Sequence, residues 1–246
     1  MIRDRLIDTA MRLGIDEQLR GVRAALLPQY RWQRAEKQQL HALLASLLKE
    51  DSNCIDIGAY RGRVLAEIMQ VAPKGKHIAY EPLPHMYHYL VQHFPGVDIR
   101  QAAVSNLGGE TTFTYVKNLP ARSGFRERSY HGRQQCEKLT VRTETLDSSL
   151  PEGYVPHLIK IDVEGAERLV FEGAINTLTK YKPVVMFEHG KGGADHYDTQ
   201  PSDIYRLLHD RAGLSLFDMD GNGPYTLEQF EESYARNDRW DFLARP

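Results

Sequence analysis

Cysteine is scarce in this chain: two in 246 residues, Cys54 in an apolar stretch and Cys136 in a polar one. That argues against a disulfide framework and fits a reducing compartment, with a cytoplasmic location as the default. Long apolar runs are missing as well. No segment approaches the ~20 residues a membrane-spanning helix needs. The N-terminal segment carries Arg3, Asp4 and Arg5 ahead of an amphipathic pattern, without the continuous apolar core of a signal peptide. Neither sign of charge is in excess: 31 Lys and Arg stand against 33 Asp and Glu. Nucleic acid as the main partner therefore has no electrostatic case. Internal repeats and low-complexity tracts are absent, which removes solenoids and arrays.

What is present is a rhythm of strands and helices. Residues 2–27 read as one or two helices, with Ile2, Leu6, Met11, Ile15, Leu19, Val22 and Leu26 at roughly helical spacing. Pro28 ends that part, and a second helix is expected over 33–50, with Leu40, Leu43, Leu44, Leu47 and Leu48 on one face. These helices pack on the following domain, cover a substrate site or form a homodimer contact. Strands are then expected at 54–57, 77–80 and 97–104, with helices between them. This β-α-β-α-β order implies right-handed crossovers and a parallel sheet. Residues 111–116 and 139–143 read as an antiparallel pair inserted as an extension of that sheet. Between them, 117–138 is a long loop rich in arginine. The parallel rhythm resumes with a strand at 158–163, a helix at 165–181, a strand at 183–187 and a helix at 202–212. Segments 214–219 and 241–244 form an antiparallel closing edge. The expected organisation is a helical segment over 1–50 and one α/β domain over 51–246.

The first strand runs into the turn Asp56-Ile57-Gly58-Ala59-Tyr60-Arg61-Gly62. In a parallel α/β sheet such a corner holds a nucleotide-like ligand. A dinucleotide requires G-x-G-x-x-G, whose second glycine admits the pyrophosphate. Here Tyr60 takes that place, so the corner suits a ligand without phosphates. Glu81, ending the second strand, can accept hydrogen bonds from both hydroxyls of a ribose. S-adenosylmethionine has a ribose, no phosphate and a sulfonium that tolerates carboxylates. A helix N-cap for Asp56 and a solvated strand end for Glu81 are the plainer alternatives.

The block Ile159-Lys160-Ile161-Asp162-Val163-Glu164-Gly165-Ala166-Glu167 resembles the signature of the FkbM family of S-adenosylmethionine-dependent methyltransferases. Residues 54–62, Ala79-Tyr80-Glu81-Pro82 and 183–188 are similar to that family's other motifs, and the likeness covers about 53–190. It departs from the family's frequent Gly-Ala-Asn at Gly58-Ala59-Tyr60, and His189 is not a general feature of the late strand. The resemblance implies a Rossmann-like class I methyltransferase sheet, mostly parallel, with an antiparallel closing strand, an inserted β-hairpin and N-terminal helices. It implies S-adenosylmethionine as cofactor, with Asp56, Gly58, Tyr60, Gly62, Glu81, Ala103, Val104 and Asp162 around it. It also implies transfer to a hydroxyl of a small molecule, a natural product or a sugar or glycan. A cofactor-binding subunit without catalysis and a nicotinamide-dependent oxidoreductase are the rival readings, the second opposed by Tyr60.

Moving a methyl to a hydroxyl requires loss of the hydroxyl proton to a base or to a metal. The candidates end the later strands: Lys160, Asp162, Glu188 and His189. Asp162 or His189 as general base comes first. A divalent cation held by Asp162, Glu188 and His189 comes next, and an ion network of Lys160, Asp162 and Glu188 that only shapes the pocket comes third. In the 117–138 loop, Arg122, Arg126, Arg128 and Arg133, with Phe125, Tyr130 and His131, suit a lid over an anionic or sugar-like acceptor.

Overall fold

The computed structural model of the chain describes residues 28–128 and 134–246. The helices expected over 2–27, and the homodimer contact expected through them, lie outside these residues. The chain divides into two compact units after Ser46. The first contributes helix α1 (Pro28–Leu47), which starts at the proline expected to precede it. Proline fits there because the first-turn N–H groups have no intrahelical acceptor. Among the described residues, no helix is long and apolar enough to cross a membrane.

The second unit is built on a seven-stranded sheet. Its strands are β1 (Cys54–Ile57), β2 (Ile78–Tyr80), β3 (Asp98–Arg100), β7 (Leu158–Ile161), β8 (Val184–Glu188), β9 (Ser215–Asp218) and β10 (Asp241–Arg245). They lie in the order β3-β2-β1-β7-β8-β10-β9, with all pairings parallel except the two made by β10. The final strand thus slots between β8 and β9 and leaves β9 at the edge. The strand order reverses at β1, whose neighbours are β2 and β7, and that switch point is where a ligand crevice opens in such sheets.

Helices α2 (Arg63–Val71) and α3 (Pro84–His93) connect the first three strands. α2 buries Leu65 and Ile68, and α3 begins with a proline in its first turn. The helix expected over 165–181 is two, α5 (Glu167–Gly173) and α6 (Ile175–Tyr181), meeting at Ala174. α7 (Pro201–Tyr205) continues as a π-helical segment over Arg206–Arg211. Helix α8 (Leu227–Arg236), opened by a capping box between Thr226 and Gln229, is additional to the sequence reading. The main core packs Ile55, Ile57, Ile159, Ile161, Phe187 and Phe242 with Val170, Phe171 and Phe230. Ala79, Leu65 and Leu90 form a separate cluster. Alternation along β1 and β7 therefore turns Asp56 and Lys160 away from the main core.

The inserted hairpin is present, but it does not extend the main sheet. The expected third strand ends at Arg100, and the chain resumes as β4 (Ala103–Val104) in a second sheet. β5 (Gly109–Val116) and β6 (Cys136–Glu144) pair antiparallel from Gly109 with Thr143 to Val116 with Cys136, and β4 joins β6 in parallel. A short helix, α4 (Leu146–Ser149), capped by Thr145, leads back to β7. Within the 117–138 stretch, Pro120–Arg122 forms a 3-10 turn and Gly124 bridges to Thr114 on β5.

Candidate active site

The carboxyl ends of β1, β2 and β7 converge on a cavity lined by Gly58, Tyr60, Glu81, Ala103, Val104 and Asp162. Six of the residues expected around a cofactor thus come together. Gly58 has φ of 76° and lies so close to β7 that a Cβ there would overlap the Asp162 carbonyl. Its N–H and that of Ala59 both donate to the Tyr80 carbonyl, at 3.0 and 3.1 Å. Tyr60 also holds a positive φ, 50°. In that conformation its N–H donates to Glu81 Oε2 at 2.8 Å, while Leu83 N–H donates to Oε1 at 2.9 Å. Burial raises the Glu81 carboxyl to about 7. Each Glu81 oxygen accepts one backbone N–H there, so acceptor capacity remains for the two hydroxyls of a ribose.

Asp56 and Gly62 stand elsewhere. Asp56 is fully buried behind the turn, and the β1–β7 register pairs it with Lys160. Gly62 closes the turn at φ 71°, and a Cβ there would collide with the Phe94 ring. Both shape the corner without lining the cavity.

Lys160 is the tie between them. Its Nζ donates to the Gly58 carbonyl at 2.9 Å and lies 3.1 Å from Asp56 Oδ1 and 3.6 Å from Asp162 Oδ2. The Asp56 contact is a charge contact, because neither Asp56 oxygen has an aligned hydrogen bond. Burial alone would lower the lysine, but Asp56 and Asp162 hold it above the usual range. Burial raises Asp56 against the pull of Lys160.

Asp162 follows β7 and lines the cavity, its side chain 43% exposed. β7 and β8 pair Ile161 with Phe187, and β8 and β10 pair Glu188 with Asp241. The same registers set Asp162, Glu188 and Asp241 side by side along the sheet edge. Burial, then Asp162, Glu167 and Asp241, raises Glu188 to about 8, with Arg128 as the opposing charge. Glu167 is itself buried and raised to about 7. It accepts Gly165 N–H at 3.1 Å and Val163 N–H at 3.3 Å, which fixes the loop after Asp162.

His189 does not join this group. Alternation puts it on the opposite face of β8 from Glu188. Its ring is 1% exposed and stacks between Phe230 and Tyr234 of α8. Neither ring nitrogen has a hydrogen-bond partner, and burial lowers its pKa to about 4. The general-base role expected of it is corrected on this ground. The Asp162, Glu188, His189 cation site is corrected with it: among the described residues, no three carboxylate, imidazole or thiol side chains are grouped to hold a metal.

The sequence reading missed Glu164, Phe113 and Ser123, which line the cavity. Two loop arginines are occupied within the protein: Arg128 pairs with Glu164 and donates to the Gly192 carbonyl at 3.1 Å, and Arg126 donates to the His196 carbonyl at 2.7 Å. Tyr130, His131 and Arg133 lie outside the described residues.

A doubly wound sheet, a glycine corner without a phosphate cradle and a ribose-ready carboxylate define a Rossmann-like class I S-adenosylmethionine-dependent methyltransferase. The methyltransferase FkbM domain matches residues 56–213. The chain belongs to that family. The fold is shared with a methyltransferase FkbM from Methylobacillus flagellatus KT, at TM-score 0.51 and 13% identity over 80% of this chain. This chain spans 44% of that protein, less than half its length. Weaker likenesses are to the StiE O-MT (residues 961–1257), at TM-score 0.48, 12% identity, and 91% and 79% of the two chains. Another is a TehB-like SAM-dependent methyltransferase from Corynebacterium glutamicum, at TM-score 0.43, 13% identity, and 87% and 92% coverage. No curated protein matches the sequence.

Two measurements probe these assignments. Lys160→Met leaves Asp56 buried without a counter-charge, so unfolding in urea is expected to show a loss of about 3–5 kcal/mol. Adding Asp56→Leu should recover much of it, whereas additive losses would mean the two side chains are not coupled. His189→Phe removes two unpartnered nitrogens and should leave methyl transfer intact. His189 stays neutral in the folded protein down to about pH 4, while the unfolded chain takes up its proton near the ordinary value of ~6.5. The unfolded state therefore binds more protons between those values, and wild-type stability falls relative to His189→Phe as pH drops through them. A stability difference that does not change across that range would refute the buried neutral imidazole.

Proposed function

We propose that the chain is an O-methyltransferase that acts on a hydroxyl of a small molecule, a natural product or a sugar or glycan. The observation that carries this reading is the carboxylate edge beyond the donor cavity, Asp162 beside a Glu188 raised to about 8. A hydroxyl is a poor nucleophile until its proton leaves, and a base with a pKa near the working pH serves that step best. S-adenosylmethionine supplies an electrophilic methyl on its sulfonium.

In this reading the residues divide into two groups. Glu81 accepts the ribose hydroxyls, and the Gly58–Tyr60 turn with Ala103 and Val104 holds the rest of the donor. Lys160 is a positioning residue that fixes the Gly58 carbonyl and the Asp162 carboxylate together. Asp162 orients the acceptor hydroxyl, and Glu188 receives its proton. The charge of Asp162 is part of what raises Glu188, after burial. Asp241, opposite Glu188 on β10, adds to the same field. An acceptor that brings hydroxyl donors rather than carboxylates suits that edge.

Transfer of a labelled methyl to a panel of hydroxylated small molecules and sugars tests the acceptor class. Activity confined to amines or thiols would reject it. Glu81→Gln should weaken S-adenosylmethionine binding at least ~10-fold, through loss of a charge-assisted ribose contact. Asp162→Asn, which weakens the group that orients the acceptor hydroxyl, should lower kcat by ~100-fold, the scale of a misplaced nucleophile, while donor affinity stays within about threefold. Wild-type turnover should rise with pH through about 8. Glu188→Gln should remove that rise. In the residual activity of Asp162→Asn the rise should move to lower pH, because a charge that raises Glu188 is gone. A profile that is flat in the wild type would sink the Glu188 assignment.

A further inference from the structure

The insertion between β4 and β7 covers the donor, although its arginines first suggest an acceptor lid. Its residues Phe113, Ser123 and Phe125 line the same cavity as Glu81 and Ala103. Phe113 is 6% exposed and packs with Leu83, Met86 and Ala103. Leu83 is the residue whose N–H holds Glu81 Oε1. Phe125 meets Phe113 edge to face, with ring centroids 5.8 Å apart at 88°. The Glu81 end of the cavity is therefore roofed by two aromatic rings and walled by small aliphatic side chains.

This roof is anchored on both sides. Thr114 and Gly124 exchange backbone hydrogen bonds at 2.7 and 3.1 Å, and Val116 N–H donates to Ser123 Oγ at 3.1 Å. Arg126 N–H donates to the Tyr197 hydroxyl at 3.1 Å. Arg128, its side chain 9% exposed, joins the far end of the roof to Glu164 and to the Gly192 carbonyl. Glu164 stands two residues beyond Asp162 and lines the cavity itself. Arg126 and Arg128 are thus spent on holding the segment down, and the residues it places against the cavity are aromatic and aliphatic with one hydroxyl. That surface fits a flat, uncharged heteroaromatic ring. Among the described residues, no arginine lines that cavity to pair with an anion.

We propose that the insertion is a donor-side roof, in which Phe125 and Phe113 hold the adenine base of the methyl donor against Leu83 and Ala103. It rests on the reading of the cavity as the donor site. Because the rings sit at the Glu81 end and Arg128 reaches the Asp162 end, the roof spans the donor from base to sulfonium. Donor affinity then depends on the insertion, and acceptor recognition falls to the Asp162–Glu188–Asp241 edge.

Calorimetric titration of the full chain with S-adenosylhomocysteine and with adenosine separates the possibilities. Stacking of a base on an aromatic side chain is worth ~1–3 kcal/mol. Phe125→Ala is therefore expected to raise both dissociation constants ~10-fold, and Phe125→Leu, which keeps the apolar cover, should recover part of the loss. Hydrogen exchange on the wild type gives an independent readout that no folding defect can mimic: S-adenosylhomocysteine should slow exchange of amides over 111–116 and 123–125. Dissociation constants within twofold of wild type for Phe125→Ala, or exchange in those segments unchanged by the ligand, would overturn the roof. If the wild type bound neither compound, the donor reading beneath it would fall instead.

Discussion

An ammonium group with almost no access to water joins two strands and a turn in this protein. Lys160 Nζ contacts Asp56 on β1, the Gly58 carbonyl in the corner and Asp162 past β7. None of the three could hold its place alone. Asp56 is a fully buried carboxylate, which costs several kcal/mol to desolvate without a counter-charge. The Gly58 carbonyl sits where the chain reverses, and Asp162 sits where β7 stops. One buried cation contacts all three, so the geometry of the glycine corner and that of the Asp162 carboxylate are coupled. Buried ion pairs are weak evidence for stability as such. Here the pair acts on position: through Lys160 it sets Asp162 relative to the Gly58 turn.

Register then determines what stands beside Asp162. A strand offers alternate side chains to opposite faces, so adjacent residues at its end cannot both serve one site. On β8 the pairing of Ile161 with Phe187 assigns Glu188 to the face of Asp162 and sends His189 into the stack with Phe230 and Tyr234. The pairing of Glu188 with Asp241 adds a third carboxylate from a strand nearly at the end of the chain. Burial, and then the proximity of these acids, raises Glu188.

Much of this was legible before the fold was seen. Strand ends that carry Asp56, Glu81, Asp162 and Glu188 at the close of apolar runs mark the carboxyl edge of a parallel sheet. Tyr60 in the corner marks the ligand type. The face assigned to His189 was legible too, since period-2 alternation is a property of the sequence; its chemistry as an imidazole outweighed its position in the reading. α8 carried a capping box, Thr226 to Gln229, that a search for strands near the end of the chain passes over. Other features depend on contacts between distant segments and leave no local trace. Nothing near Arg128 indicates that it will be spent on Glu164, 36 residues away. Nothing in the hairpin sequence indicates that β4 will leave the main sheet and carry β5 and β6 over the cavity.

Tyr60 shows how one residue can do two things at a sheet corner. A φ of 50° is sparsely populated for a bulky side chain, and such a conformation persists only where its surroundings determine it. Here the turn between Gly58 and Gly62, both at positive φ, winds the backbone so that the Tyr60 N–H meets Glu81 Oε2. A glycine would reach that conformation with less strain, but it would leave the corner open. The tyrosine ring instead packs toward the cluster of Leu83, Met86 and Phe113. The backbone of this residue fixes the Glu81 carboxylate, and its side chain adds to the apolar packing beside it. The same strained position thus holds Glu81 in place and closes the corner that a glycine would leave open.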